Sequence, residues 1–127
     1  MKIRNFGALL AGFAVVPFTA FGALADCKTN GLSPMYLGKN ETYRLLLTTE
    51  PDGLCPIFFN AQGNGVSFTS ADIAEPPTKG RLAPAGHNDF AYVAPKVAGA
   101  DAFVLKICGT DAAGTGCNRL EYSVEVK

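Results

Sequence analysis

Pro76-Pro77-Thr78-Lys79-Gly80-Arg81-Leu82, Phe90-Ala91-Tyr92-Val93-Ala94-Pro95 and Gly99-Ala100-Asp101-Ala102-Phe103-Val104-Leu105-Lys106-Ile107 succeed one another within residues 73–107. Turn residues separate runs in which every second side chain is apolar, the period of a strand with one buried face. The pattern continues outward. Thr42–Thr49 sets Tyr43, Leu45 and Leu47 on one face and Thr42, Arg44 and Thr48 on the other. Pro51-Asp52-Gly53 is a turn signal, Ile57–Phe59 a short apolar strand, and Gln62-Gly63-Asn64-Gly65 a second turn before Val66–Thr69 and Ile73. Lys79–Ala83 is expected to pair with Phe90–Ala94 across Gly86-His87-Asn88-Asp89. The chain then closes in a hairpin of Ala102–Ile107 and Asn118–Val126 through Gly109–Gly116. No helical period lasts three turns. The spacing predicts an all-β domain, an antiparallel β-sandwich or small barrel.

The N-terminus sets the compartment. Lys2 and Arg4 precede an uncharged apolar run, Phe6 to Val16, which Pro17 breaks, and Ala23-Leu24-Ala25 supplies small residues at the −1 and −3 positions. This is the pattern of a secretory signal peptide cleaved after Ala25, leaving residues 26–127 as a single domain. Phe6 to Ala25 is about long enough to span a bilayer, so an uncleaved anchor is the rival reading. A lipoprotein fits less well, because Asp26 precedes Cys27 where a small residue is needed. Without Lys2 and Arg4, the 11 basic and 11 acidic residues become 9 and 11, a net charge of −2. The charges are scattered along the chain. That excludes nucleic acid as an expected partner and limits contact with a membrane to the export signal.

Cys27, Cys55, Cys108 and Cys117 are an even set in a small exported domain, which implies two disulfides. Three pairings are open, and strand geometry favours one. If Cys108 faces Cys117 across the final hairpin, Leu105 faces Leu120 and Phe103 faces Tyr122, so one register satisfies both the bridge and the core. Lys106 then faces Arg119, with Glu121 diagonal to it. Cys27–Cys55 is the remaining pair. Loop entropy assigns the two bridges about 3 and about 4 kcal/mol. Zinc is disfavoured, since no close Cys-x-x-Cys pair exists and export favours oxidation.

Pro77-Thr78-Lys79-Gly80, Phe90-x-Tyr92-x-x-Pro95 and Gly99-x-Asp101-x-Phe103-x-Leu105-x-Ile107 resemble the bacterial Ig-like, cadherin-like domains of cell-envelope proteins, over about residues 73–107. The resemblance implies an Ig-like sandwich and no particular activity. Physically, Gly80 permits a tight turn, Pro95 ends a strand, and Asp101 can accept backbone hydrogen bonds that pin the loop into the next strand. Tyr92 and Phe103 are expected core anchors. The chain has no Trp and no cysteine in Thr42–Thr49, so the inter-sheet bridge of antibody domains is not expected.

Candidate sites are few. His87, the only histidine, sits in a turn, and Ser33, Ser67, Ser70 and Ser123 lie in no nucleophile motif. Glu75 and Asp89 form no recognisable acid–base pair. Asp52, Asp72, Asp89, Asp101 and Asp111 are spread singly, which argues against calcium and for turn-capping at Asp101 and Asp111. Asn40-Glu41-Thr42 is a glycosylation sequon. It is read as chance, with Asn40 instead turning the chain into the Thr42 strand. Pro34-Met35-Tyr36 and Phe58 are the best exposed apolar contacts, although a strand covered on both faces is the preferred reading for Phe58. The expectation is a periplasmic or secreted non-enzyme without metal or cofactor, binding a protein or glycan of the cell envelope. The alternative is a small inhibitor of a protease or lysozyme presenting Gly109–Gly116.

Overall fold

The computed structural model describes residues 27–30, 36–59 and 65–127. The signal peptide and its cleavage point, Ser33, Pro34-Met35 and Gln62-Gly63-Asn64 lie outside the described residues. Eight strands are described: β1 (Lys28–Asn30), β2 (Thr42–Thr49), β3 (Leu54–Phe58), β4 (Ser67–Glu75), β5 (Arg81–Gly86), β6 (Asp89–Val93), β7 (Gly99–Asp111) and β8 (Gly114–Val126). They form a five-stranded sheet ordered β1-β2-β8-β7-β4 and a three-stranded sheet ordered β3-β6-β5.

All neighbours are antiparallel except β2 and β8, which run parallel from Thr42 opposite Arg119 to Thr49 opposite Val126. A parallel pair cannot be closed by a tight turn, and here everything from β3 to β7 forms the connection. Side chains fix its register. Asn40, in the left-handed region at φ 54°, accepts the Cys117 N–H on its Oδ1 at 2.8 Å. The buried Asn118 accepts the Glu41 N–H at 2.9 Å and donates its Nδ2 to the Tyr36 carbonyl at 3.1 Å. Asn40 therefore turns the chain into β2, as its position in the sequence suggests.

The final hairpin has the predicted register: Cys108 faces Cys117, Leu105 faces Leu120, Phe103 faces Tyr122 and Lys106 faces Arg119. Both disulfides, Cys108–Cys117 and Cys27–Cys55, are present, and no cysteine is free. Two bridges of this kind indicate an oxidising environment. The strands run further than expected, because pairing continues to Asp111 opposite Gly114 and leaves only Ala112-Ala113 as the turn. Gly109–Gly116 is thus strand and not an open loop. Similarly, Ser67–Thr69 and Ile73 belong to one strand, β4, which Val66 precedes, with register shifts between Phe68 and Ser70 and between Ile73 and Glu75. The expected partner of Phe90–Ala94 begins at Arg81 rather than Lys79 and turns through His87-Asn88.

The two sheets pack face to face. Leu45, Leu47, Phe103, Leu105, Ile107, Leu120, Tyr122, Val124 and Val126 of the large sheet meet Cys55, Ile57, Phe90 and Tyr92 of the small one in a single core. Tyr92 stacks on Phe103 at 5.2 Å, and Phe103 on Tyr122 at 4.6 Å, so one aromatic column crosses between the sheets. Leu37, in a 3-10 turn at Leu37–Lys39, plugs one end of the core. Asp111 holds that turn, accepting the Leu37 N–H on Oδ2 at 2.6 Å and the Ala113 N–H on Oδ1 at 2.9 Å. Cys27–Cys55 joins the stretch leading into β1, on the large sheet, to β3 of the small sheet. It crosses between the sheets at their edge, unlike the central bridge of antibody domains.

Candidate functional site

Asp101 is the most heavily bonded side chain of the motif. Its Oδ1 accepts the N–H groups of Thr78 (3.2 Å), Lys79 (3.3 Å) and Ala102 (2.9 Å) and the Thr78 hydroxyl (3.4 Å). Its Oδ2 accepts the Gly80 N–H at 2.8 Å and the Tyr92 hydroxyl at 2.7 Å. One carboxylate at the start of β7 thus clasps the whole turn between β4 and β5, and ties it to β6. Successive backbone N–H groups converging on an anion form a nest. Burial by itself would raise the Asp101 pKa, but the bonds from Gly80, Tyr92, Ala102 and Lys79 outweigh it and hold the group below its ordinary value. Burial first, and the bond to Asp101 second, push Tyr92 well above a normal phenol. Both oxygens of this largely buried carboxylate are engaged by donors of the fold, which accounts for it as a structural clasp.

Two expectations follow. A group whose pKa is depressed in the fold contributes its full stability above its unfolded pKa and loses it as pH falls through the folded value. Stability should therefore decline below about pH 4, read as a falling urea midpoint in an acid series, and that slope should be shallower in Asp101→Ala. Gly80 is needed here for close approach rather than for a left-handed φ, since a Cβ would stand 2.6 Å from both the Tyr92 hydroxyl and the Val93 carbonyl. Neither atom is free to move, so Gly80→Ala is expected to lower stability by about 2 kcal/mol, the cost of overpacking a fixed site. An unchanged thermal midpoint would contradict this.

The predicted catalytic candidates do not converge. His87 is exposed in the β5–β6 turn, Ser67 and Ser70 lie on β4, and Ser123 is exposed on β8. Asp89 opens β6 of the small sheet, whereas Glu75 ends β4 of the large sheet and binds Arg119 at 2.6 Å. Among the described residues no three His, Cys, Asp or Glu side chains are grouped to hold a metal ion. Tyr36 is exposed, with the Lys39 ammonium over its ring at 5.3 Å.

The outer faces of the two sheets differ in kind. On the large sheet Arg119 binds Glu75 and Glu121, the latter at 2.9 Å, and Arg44 binds Glu121 at 3.3 Å. The like-charge pair Lys106–Arg119 is relieved in this way, although such exposed ion pairs add only about 0–1 kcal/mol each. On the small sheet the outward residues form three rows: Leu54–Val93–Arg81, Pro56–Ala91–Ala83 and Phe58–Asp89–Gly86. Six of these nine residues carry apolar side chains that stand together, and among the described residues no further strand or helix packs over them. Phe58 is 59% exposed and Leu54 38%. The preferred reading of Phe58 as covered on both faces is therefore wrong: β3 is an edge strand of a sheet with one packed face.

At the Leu54–Val93–Arg81 end the face runs into a depression of about 220 Å³ lined by Asp52, Lys79, Gly80, Arg81, Val93, Ala94, Pro95 and Lys96. Three cations thus share one hollow with one carboxylate. Sequence reasoning missed this cluster, because Lys79, Arg81 and Lys96 belong to two segments brought together by β5–β6 pairing.

No family model matches the chain, and a search of curated proteins gives no significant match. Among solved structures it is similar to an endo-fucoidan hydrolase of glycoside hydrolase family 107, at 11% identity and a TM-score of 0.34, over 95% of this chain and 16% of that one. The chain thus spans about a sixth of that enzyme's length, and a likeness this distant carries no argument about either fold or activity.

Proposed function

We propose that the chain is an exported, non-catalytic Ig-like sandwich that works as a binding module in the periplasm or outside the cell, with the uncovered face of the small sheet as its contact surface. The strand orders support the Ig-like assignment. β3-β6-β5 follows the B-E-D order of that fold, and β8-β7-β4 its G-F-C order. The two disulfides, and the Lys2-to-Ala25 leader pattern, support export. The observation that carries the binding role is the contiguous apolar face holding Phe58, Leu54 and Pro56, which a folded domain exposes at a cost unless something docks there. The inhibitor alternative has less support, because its presumed loop is paired strand down to Ala112-Ala113.

Capture of envelope components on the immobilised, disulfide-bonded protein tests the reading. Phe58→Ser should leave the unfolding free energy from urea titration within about 0.5 kcal/mol of wild type, as expected of an exposed side chain, while abolishing saturable capture. Capture that survives Phe58→Ser and Leu54→Ser together would remove this face from consideration.

A further inference from the structure

We propose that the apolar face and the basic depression at its end form one surface that docks on anionic phospholipid. This rests on the binding-module reading and specifies its partner. The six apolar side chains Leu54, Val93, Pro56, Ala91, Ala83 and Phe58 offer no hydrogen-bonding group, so sugar hydroxyls would find partners only at the two ends of the face, Arg81 and Asp89. The face is also small. A stable protein interface takes about 800 Å² and 20–30 residues from each side, more than three short strands supply.

A bilayer sets no such requirement. It accepts a few apolar side chains at the headgroup boundary together with cations beside anionic headgroups. The charge distribution fits that occupant. Lys79, Arg81 and Lys96 line a single hollow, and none of them makes an ion pair with a described residue; Lys28, Lys39 and Lys106 likewise make none among the described residues but do not line that hollow. Val93 and Arg81 belong to both the face and the hollow, so the apolar and cationic parts are continuous. Asp52 offsets one of the three positive charges, and Asp89, half-buried beside Phe58, stands at the far end. The face is therefore polarised along its strands. Although the mature domain is acidic overall, its basic end meets the lipid.

The test uses the disulfide-bonded protein recovered after export of the full chain, sedimented with vesicles of phosphatidylglycerol and phosphatidylcholine in equal parts, and with vesicles of phosphatidylcholine alone. The expected result is binding to the mixed vesicles only, weakening as salt is raised. Each cation near an anionic surface is worth about fivefold in partitioning, so the double variant Lys79→Glu, Lys96→Glu should lose roughly 30-fold or more. Phe58→Ser should lose severalfold. Unchanged urea midpoints in these variants exclude unfolding as the cause. No binding to the mixed vesicles, equal binding to both kinds (as a retained leader would give), or indifference to the Lys79/Lys96 variant would overturn the proposal. If vesicles fail while an envelope protein is captured through Phe58, the lipid inference falls and the binding-module reading stands. If both assays fail, both fall.

Discussion

Asp101→Ala is expected to lower the unfolding free energy by about 4 kcal/mol, among the largest effects of any single substitution in this domain. The side chain is 8% exposed and accepts six hydrogen bonds, four of them from backbone N–H groups. Truncation leaves the N–H groups of Thr78, Lys79 and Gly80 and the Tyr92 hydroxyl facing a gap. An abandoned donor costs more than the net value of the bond it made. Asp101→Asn keeps one acceptor oxygen but turns a donating amide toward the other donors, so a loss of about 2 kcal/mol is expected. Urea unfolding under oxidising conditions measures both. An alanine variant within about 1 kcal/mol of wild type would show that the clasp is dispensable and that water can replace the carboxylate.

Removing the Cys27–Cys55 bridge by paired alanine substitution should cost about 4 kcal/mol, against about 3 for the Cys108–Cys117 pair. The first closes a loop with a sequence separation of 28, the second one of 9. Position adds to the difference. Cys108 and Cys117 already face each other in a long, fully paired hairpin, so cutting their bridge releases little that the ladder does not hold. Cys55 is fully buried in β3, and its partner leads into β1, a three-residue strand with every residue exposed. Without the bridge β1 has only its short pairing to β2, and amide exchange at Lys28–Asn30 should become fast. Equal stability of the two double variants would contradict this ranking.

The final hairpin was legible because several constraints had to agree at once. Period-2 alternation fixed which residues of each strand faced inward, and the cysteine pair then left one register that buried Phe103, Leu105, Leu120 and Tyr122. Asp101 was legible as a cap because a short acceptor between a glycine and a hydrophobic strand has few other uses. The sequence did not show that this carboxylate also reaches Tyr92 and Gly80, since those contacts form only when β6 and the β4–β5 turn are folded around it. Nor did it show the strand ends. Glycine and threonine at Gly109–Gly116 read as a loop, yet ladder hydrogen bonds and the Thr110–Thr115 hydroxyl contact at 2.8 Å carry the pairing to Asp111 and Gly114.

By itself the sequence determined the all-β class and the inward faces of the strands and favoured one pairing of the four cysteines, because each rests on local alternation or on spacing along the chain; the structure decided that pairing. Only the tertiary structure decided which apolar residues lack a cover. Phe58 alternates like any strand residue, and whether its side is buried depends on a further layer that the described residues do not supply over β3-β6-β5. The meeting of Lys79, Arg81 and Lys96 at the end of that face is decided in the same way. Their charges are local, but the field they share depends on the pairing of β5 with β6.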